Sequence, residues 1–151
     1  MAGLFYGNNK FNQDLSYWDV SKVTTMDAMF SHCVVFNNDI SKWNTSNVTI
    51  MQLMFEGADV FNQDLSSWNV VNVTDMSGMF ANSPFNQPIE NWDVSSVTTM
   101  GFMFWNNEYF NQDLSNWDVS WVNSCSSFCQ NTPNWTLPKP NFSNCGATGC
   151  D

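Results

Sequence analysis

The stretch Phe11-Asn12-Gln13-Asp14-Leu15-Ser16-Tyr17-Trp18-Asp19-Val20-Ser21-Lys22-Val23-Thr24-Thr25-Met26-Asp27-Ala28-Met29-Phe30 decides the fold, because the chain repeats its pattern. Phe11, Phe36, Phe61, Phe85 and Phe110 each precede Asn, at spacings of 25, 25, 24 and 25 residues. Trp18, Trp43, Trp68, Trp92 and Trp117 keep the same intervals, and so do Met26, Met51, Met76, Met100 and Cys125. A fixed period of this length marks an architecture in which each unit buries its apolar side against its neighbours. Five full units occupy 11–35, 36–60, 61–84, 85–109 and 110–134, preceded by a half-unit, 1–10. Together they form a repeat domain over 1–134, and the tail 135–151, rich in Pro and Cys, reads as a C-terminal cap. The single deletion falls in the variable loop before Phe85, where an indel is tolerated.

Within a unit, Val23, Met26, Met29 and Phe30 stand at i, i+3, i+6 and i+7, one face of about two helical turns. Ser21 or Thr24 is a candidate N-cap. The segment Asp14 to Val20 alternates at its end and fits a short strand, placed at 12–15 or at 17–20 of the first unit. Leu15, Trp18, Val20 and Val23 reproduce in part the L-x-x-L-x-L spacing of leucine-rich repeats. The expected fold is an α/β repeat: a right-handed, leucine-rich-repeat-like solenoid of about 25 residues per coil, with short parallel strands on one face and short helices on the other.

The consensus F-N-Q-D-L-S-x-W-D-V-S-x-V-T-x-M-x-x-M-F, carried over 1–134, resembles the BspA-like leucine-rich-repeat family in its Trp-Asp-Val, Met-Phe subtype. The resemblance implies a secreted or surface-exposed protein, often an adhesin. It brings no catalytic residues.

The polar columns have local explanations. Asn12, Asn37, Asn62, Asn86 and Asn111 form an expected ladder in which each side-chain amide bonds backbone groups at a turn, or its neighbour one coil along. Asp14, Asp39, Asp64 and Asp113, with a second column of Asp19, Asp93 and Asp118, stack carboxylates that repel. Either local N–H and hydroxyl donors hold them or a calcium ion does; with no calcium-loop motif, no metal site is assigned. Thr24, Thr49, Thr74 and Thr98 read as caps at helix starts, with ice-lattice matching as the alternative. The Trp and Met columns read as core. His32 is the only histidine and stands beside no nucleophile motif, so no enzyme and no cofactor is expected.

Binding by a repeat array uses positions that vary while the scaffold stays constant. The candidates are Tyr17, Lys42, Asn91 and Asn116 between core columns, Trp121 one column on, and the loop aromatics Trp105 and Tyr109. Four clustered cysteines, Cys125, Cys129, Cys145 and Cys150, suggest two disulfides and an oxidising compartment, with three pairings open. Glycosylation sequons occur at Asn44, Asn47, Asn72, Asn134 and Asn141.

Four lysines, no arginine and a net charge of −10 argue against nucleic acid and against anionic membrane surfaces. No apolar run approaches the roughly 20 residues of a membrane span, and no leader peptide is read ahead of the repeats. The expected function is therefore non-enzymatic: an extracellular or cell-surface recognition or adhesion module for a protein or glycan. The alternatives are a structural subunit of a shell, filament or surface layer, stacking on copies of itself through the amino-terminal edge at Leu4 and Phe5, and an ice- or crystal-surface binder using the Thr and Asn ladders. The unequal ends are expected either from a piece of a longer array or from an edge that another chain covers.

Overall fold

A computed structural model describes residues 1–150. The units stack in register, layer upon layer, but not as an α/β solenoid. Among the described residues there is no helix, and the only β pairing is a line of isolated parallel bridges, Thr25↔Ile50↔Asp75↔Thr99↔Ser124. The fold is an irregular, loop-rich stack closed by disulfides. The helix and strand expectations are both overturned.

The segment expected to be helical is a run of overlapping four-residue turns. Met29 N–H donates to Met26 O, Ser31 to Ala28 O and Cys33 to Phe30 O. The alternate N–H groups leave the unit altogether: Met26, Ala28, Phe30 and His32 donate to Ile50, Gln52, Met54 and Glu56 of the next layer at 2.7–2.9 Å. The same four bonds recur at each later junction of full units, so this segment's backbone donors divide between turns and layers. Ala28 (φ +48°) and His32 (φ +58°) take the left-handed conformation at the third position of their turns, as type II turns require. Leu53 and Gly57, Gly78 and Asn82, and Phe102 and Asn106 repeat the pair. A left-handed residue every fourth position cannot belong to an α-helix. Such turns nevertheless place apolar side chains at i and i+3, as at Met26 and Met29, which is why the sequence imitates one.

The expected strand also folds into turns. Trp18 N–H closes on Leu15 O and Val23 N–H on Val20 O. Asp14 and Asp19 accept from the N–H of Ser16 and Ser21, forming Asx turns that compete with extended structure.

Apolar columns hold the layers together. Phe30 stacks on Phe36, the first residue of the following unit, at 4.0 Å and on Phe55 one period on at 5.7 Å, and Phe55, Phe80 and Phe104 continue the column. Met26, Met29, Met51, Met54, Met76, Met79, Met100 and Met103 are fully buried beside them. Each buried indole donates to a main-chain carbonyl of the preceding layer, as Trp43 does to Leu15 O and Trp68 to Ile40 O. Cys33 is a buried free thiol donating to Phe5 O, and burial pushes its pKa up to about 11.

Residues 135–150 lie on the fifth unit as a further layer. Trp135 follows Phe110 by one period and meets it edge-on at 76°, and Phe142 meets Phe128 at 68°. Disulfides join Cys125 to Cys145 and Cys129 to Cys150, which selects one of the three pairings. Both tie this last layer to the unit beneath it.

Candidate recognition site

The constant polar columns use their hydrogen-bonding groups internally. Asn12 Oδ1 accepts the N–H of Asn37, and the bond repeats through Asn62, Asn86 and Asn111 to Thr136 at 2.9–3.1 Å. Thr49, Thr74 and Thr98 donate their hydroxyls to the carbonyl of the threonine one layer back, so they bridge layers rather than cap helices.

Six aspartates at the Asx turns lie below the ordinary carboxylate value of 3.8. For Asp19, Asp39, Asp93, Asp113 and Asp118 the side-chain and then the backbone bond of the serine two residues on is the cause; for Asp14 the backbone bond leads. A carboxylate lowered by folding adds stability that is complete above its unfolded pKa and is lost as pH falls through the folded one. Melting temperature measured from pH 7 to 2 should therefore drop below about pH 4. Asn44 and Asn69 make the same turn without a charge. The triple variant Asp19→Asn, Asp93→Asn, Asp118→Asn should accordingly show a shallower acid slope. An unchanged slope would rule out the Asx-turn carboxylates as its source.

What remains free lies along the variable loops. Three depressions of about 550, 380 and 240 Å³ follow one another there. The first, between Glu108 and Trp135, is bordered by Lys139, which donates to Trp135 O and lies 5.3 Å over its ring. The second holds Asp59, Glu108 and Tyr109. The third is an apolar cleft walled by Leu53, Phe102 and Trp105 over Gly78 and Gly101. Asn106 lines the first two and Asn82 the last two, and the amide of Asn106 donates to Asn82 Oδ1 at 2.9 Å across the divide. Asn107, wholly buried, fixes the loop behind them by donating to Phe85 O and accepting from the N–H of Tyr109 and Phe110.

Of the residues singled out in the sequence, Trp105 and Tyr109 line this belt. Tyr17, Lys42, Asn91 and Asn116 are exposed in a column that lines none of the three depressions, and the same holds for Trp121. The amides of Asn47, Asn72 and Asn134 donate to Ser21 O, Ser46 O and Glu108 O, whereas Asn44 uses only its Oδ1. Asn141 is exposed. Among the described residues no three His, Cys, Asp or Glu side chains gather as a metal site would require. His32 and Ser31 both bond Oε2 of Glu56, at 3.1 and 2.8 Å.

Phe102, Leu53 and Glu56 did not stand out in the sequence. The first two sit at the variable position inside M-x-x-M-F, which an α-helix would have made unremarkable. Yet both are bulky residues with φ of +59° and +53°, where Gly3 and Gly78 serve other layers. A large side chain there costs on the order of 1–2 kcal/mol, and such outliers concentrate at functional positions.

The chain is thus a stacked repeat protein whose constant columns form the scaffold and whose variable loops form the one belt of depressions described above. It belongs to the family described as Mycoplasma protein of unknown function, DUF285, whose pattern matches residues 1–84 and again 67–145. No curated protein and no solved structure matches it.

Proposed function

We propose that this protein is a non-catalytic recognition module of a secreted or cell-surface protein, holding a protein or glycan ligand against the variable-loop belt. The observation that carries the reading is the division of labour among polar and aromatic groups. Those in the constant columns are occupied by bonds within and between layers, while the belt presents side chains that differ from layer to layer. The two disulfides fit an oxidising compartment, and no helix is long and apolar enough to cross a membrane. The likeness of the repeat to BspA-like surface proteins points the same way.

The test is retention on an array of defined oligosaccharides and on purified extracellular proteins. Wild-type protein should be retained by a subset. The double variant Trp105→Ala, Tyr109→Ala should lose that retention by about tenfold or more, as expected for aromatic anchors. Tyr17→Ala should keep it. Equal retention of the double variant, or loss with Tyr17→Ala alone, would remove the belt from consideration.

A further inference from the structure

We infer that the cleft between Leu53, Phe102 and Trp105 takes the trimethylammonium group of a small soluble ligand, an assignment that rests on the recognition reading above. The Phe102 and Trp105 rings stand at 82° with centroids 6.5 Å apart, forming a corner of two aromatic walls. Leu53 leans over Gly78 so closely that a Cβ there would meet its Cδ2 at 2.5 Å, which keeps the floor bare. The cleft is about 240 Å³, below the usual range for drug-sized ligands and suited to a compact head group.

Charge selects the ligand. No lysine lines the cleft, Glu56 stands at its edge, and the chain carries −10 overall. Oε2 of Glu56 takes both the Ser31 hydroxyl and His32, and neither bond uses Oε1. An anion would find no cationic side chain here. A primary ammonium would lose hydration in a cleft walled mainly by apolar side chains. A quaternary ammonium has no N–H to satisfy, and its positive methyl shell is attracted by aromatic faces and by a carboxylate at the rim.

The site occurs once in the chain. At the positions of Phe102 and Trp105 the other full units carry Ala28 with Ser31, Leu53 with Glu56, Gly78 with Ala81, and Ser127 with Gln130. Among the described residues, Phe102 is the one Phe, Tyr or Trp in the left-handed conformation. Half of the side chain remains exposed, so burial of its ring offsets the strain of that conformation only in part.

The test is a calorimetric titration of the whole protein with choline chloride, beside 3,3-dimethylbutan-1-ol, which has the same shape without the charge. Choline should saturate one site, and the neutral alcohol should bind about tenfold more weakly or worse. Phe102→Gly and Trp105→Ala should each weaken choline about tenfold or more. Phe102→Gly should at the same time raise the melting temperature, because glycine relieves the left-handed backbone; that separates lost binding from lost folding. Glu56→Gln should weaken choline several-fold. Absence of saturable choline binding, equal binding of the alcohol, or indifference to Trp105→Ala overturns the assignment. So does binding confined to phosphatidylcholine vesicles. If array ligands are retained through Trp105 and Tyr109 while choline does not bind, recognition by the belt stands and this inference falls.

Discussion

Phe80→Ala is expected to lower the unfolding free energy by about 3–5 kcal/mol. Phe80 is wholly buried, stacked at 3.9 Å on Phe85 and at 5.8 and 5.7 Å on Phe55 and Phe104. Its removal opens a cavity in the middle of the column, where four backbone bonds to the layer above hold Met76, Gly78, Phe80 and Asn82 in place and prevent collapse. Stability in such an array is a sum of unit and junction terms, so an interior unit that fails loses two junctions. Phe11→Ala is the control: Phe11 is only partly buried and lies at the edge of the stack. Urea denaturation followed by tryptophan fluorescence should show a much larger midpoint shift for Phe80→Ala. Equal shifts would mean that the aromatic column does not couple the layers.

Loss of the disulfides should have the second-largest effect. Each closes a loop of about 20 residues, with Cα atoms 5.8 and 4.8 Å apart. A bridge of that loop length stabilises by about 3 kcal/mol. The variant Cys129→Ser, Cys150→Ser should therefore melt roughly 6–12 °C lower than wild type. Without the bridges, only the packing of Trp135 and Phe142 and a few hydrogen bonds keep the last layer on Phe110 and Phe128. Hydrogen exchange should then show residues 135–150 opening before the rest. Uniform loss of protection along the chain would show that the last layer is not a separate cap.

Much of this protein was legible in its repeat. Column identity named the core, the Asn ladder and the four cysteines that pair, but not the carbonyl acceptor of each buried indole, which only the stacking of layers supplies. The helix was misread because i, i+3 spacing arises equally from consecutive turns, and the strand because Asp-x-Ser can close an Asx turn as readily as join a ladder. One signal for the turns was present: Gly7, Gly57, Asn82, Asn106 and Asn131 share a column with His32, and Gly and Asn are the residues that most readily adopt positive φ. The companion column, with Ala28, Leu53, Phe102 and Ser127, hid it behind residues that favour no such conformation.

The sequence by itself determined the period, the stacked columns, the acidic surface and the cysteine cluster, since each follows from residue type and spacing alone. The tertiary structure decided where the backbone bonds go. With alternate N–H groups aimed at the next layer, no helix can form, and Leu53 and Phe102 are carried out of a supposed helix interior onto strained positions in the wall of the cleft beside Trp105. That choice depends on φ at single residues and on a partner 23 or 24 residues away, neither of which local sequence encodes.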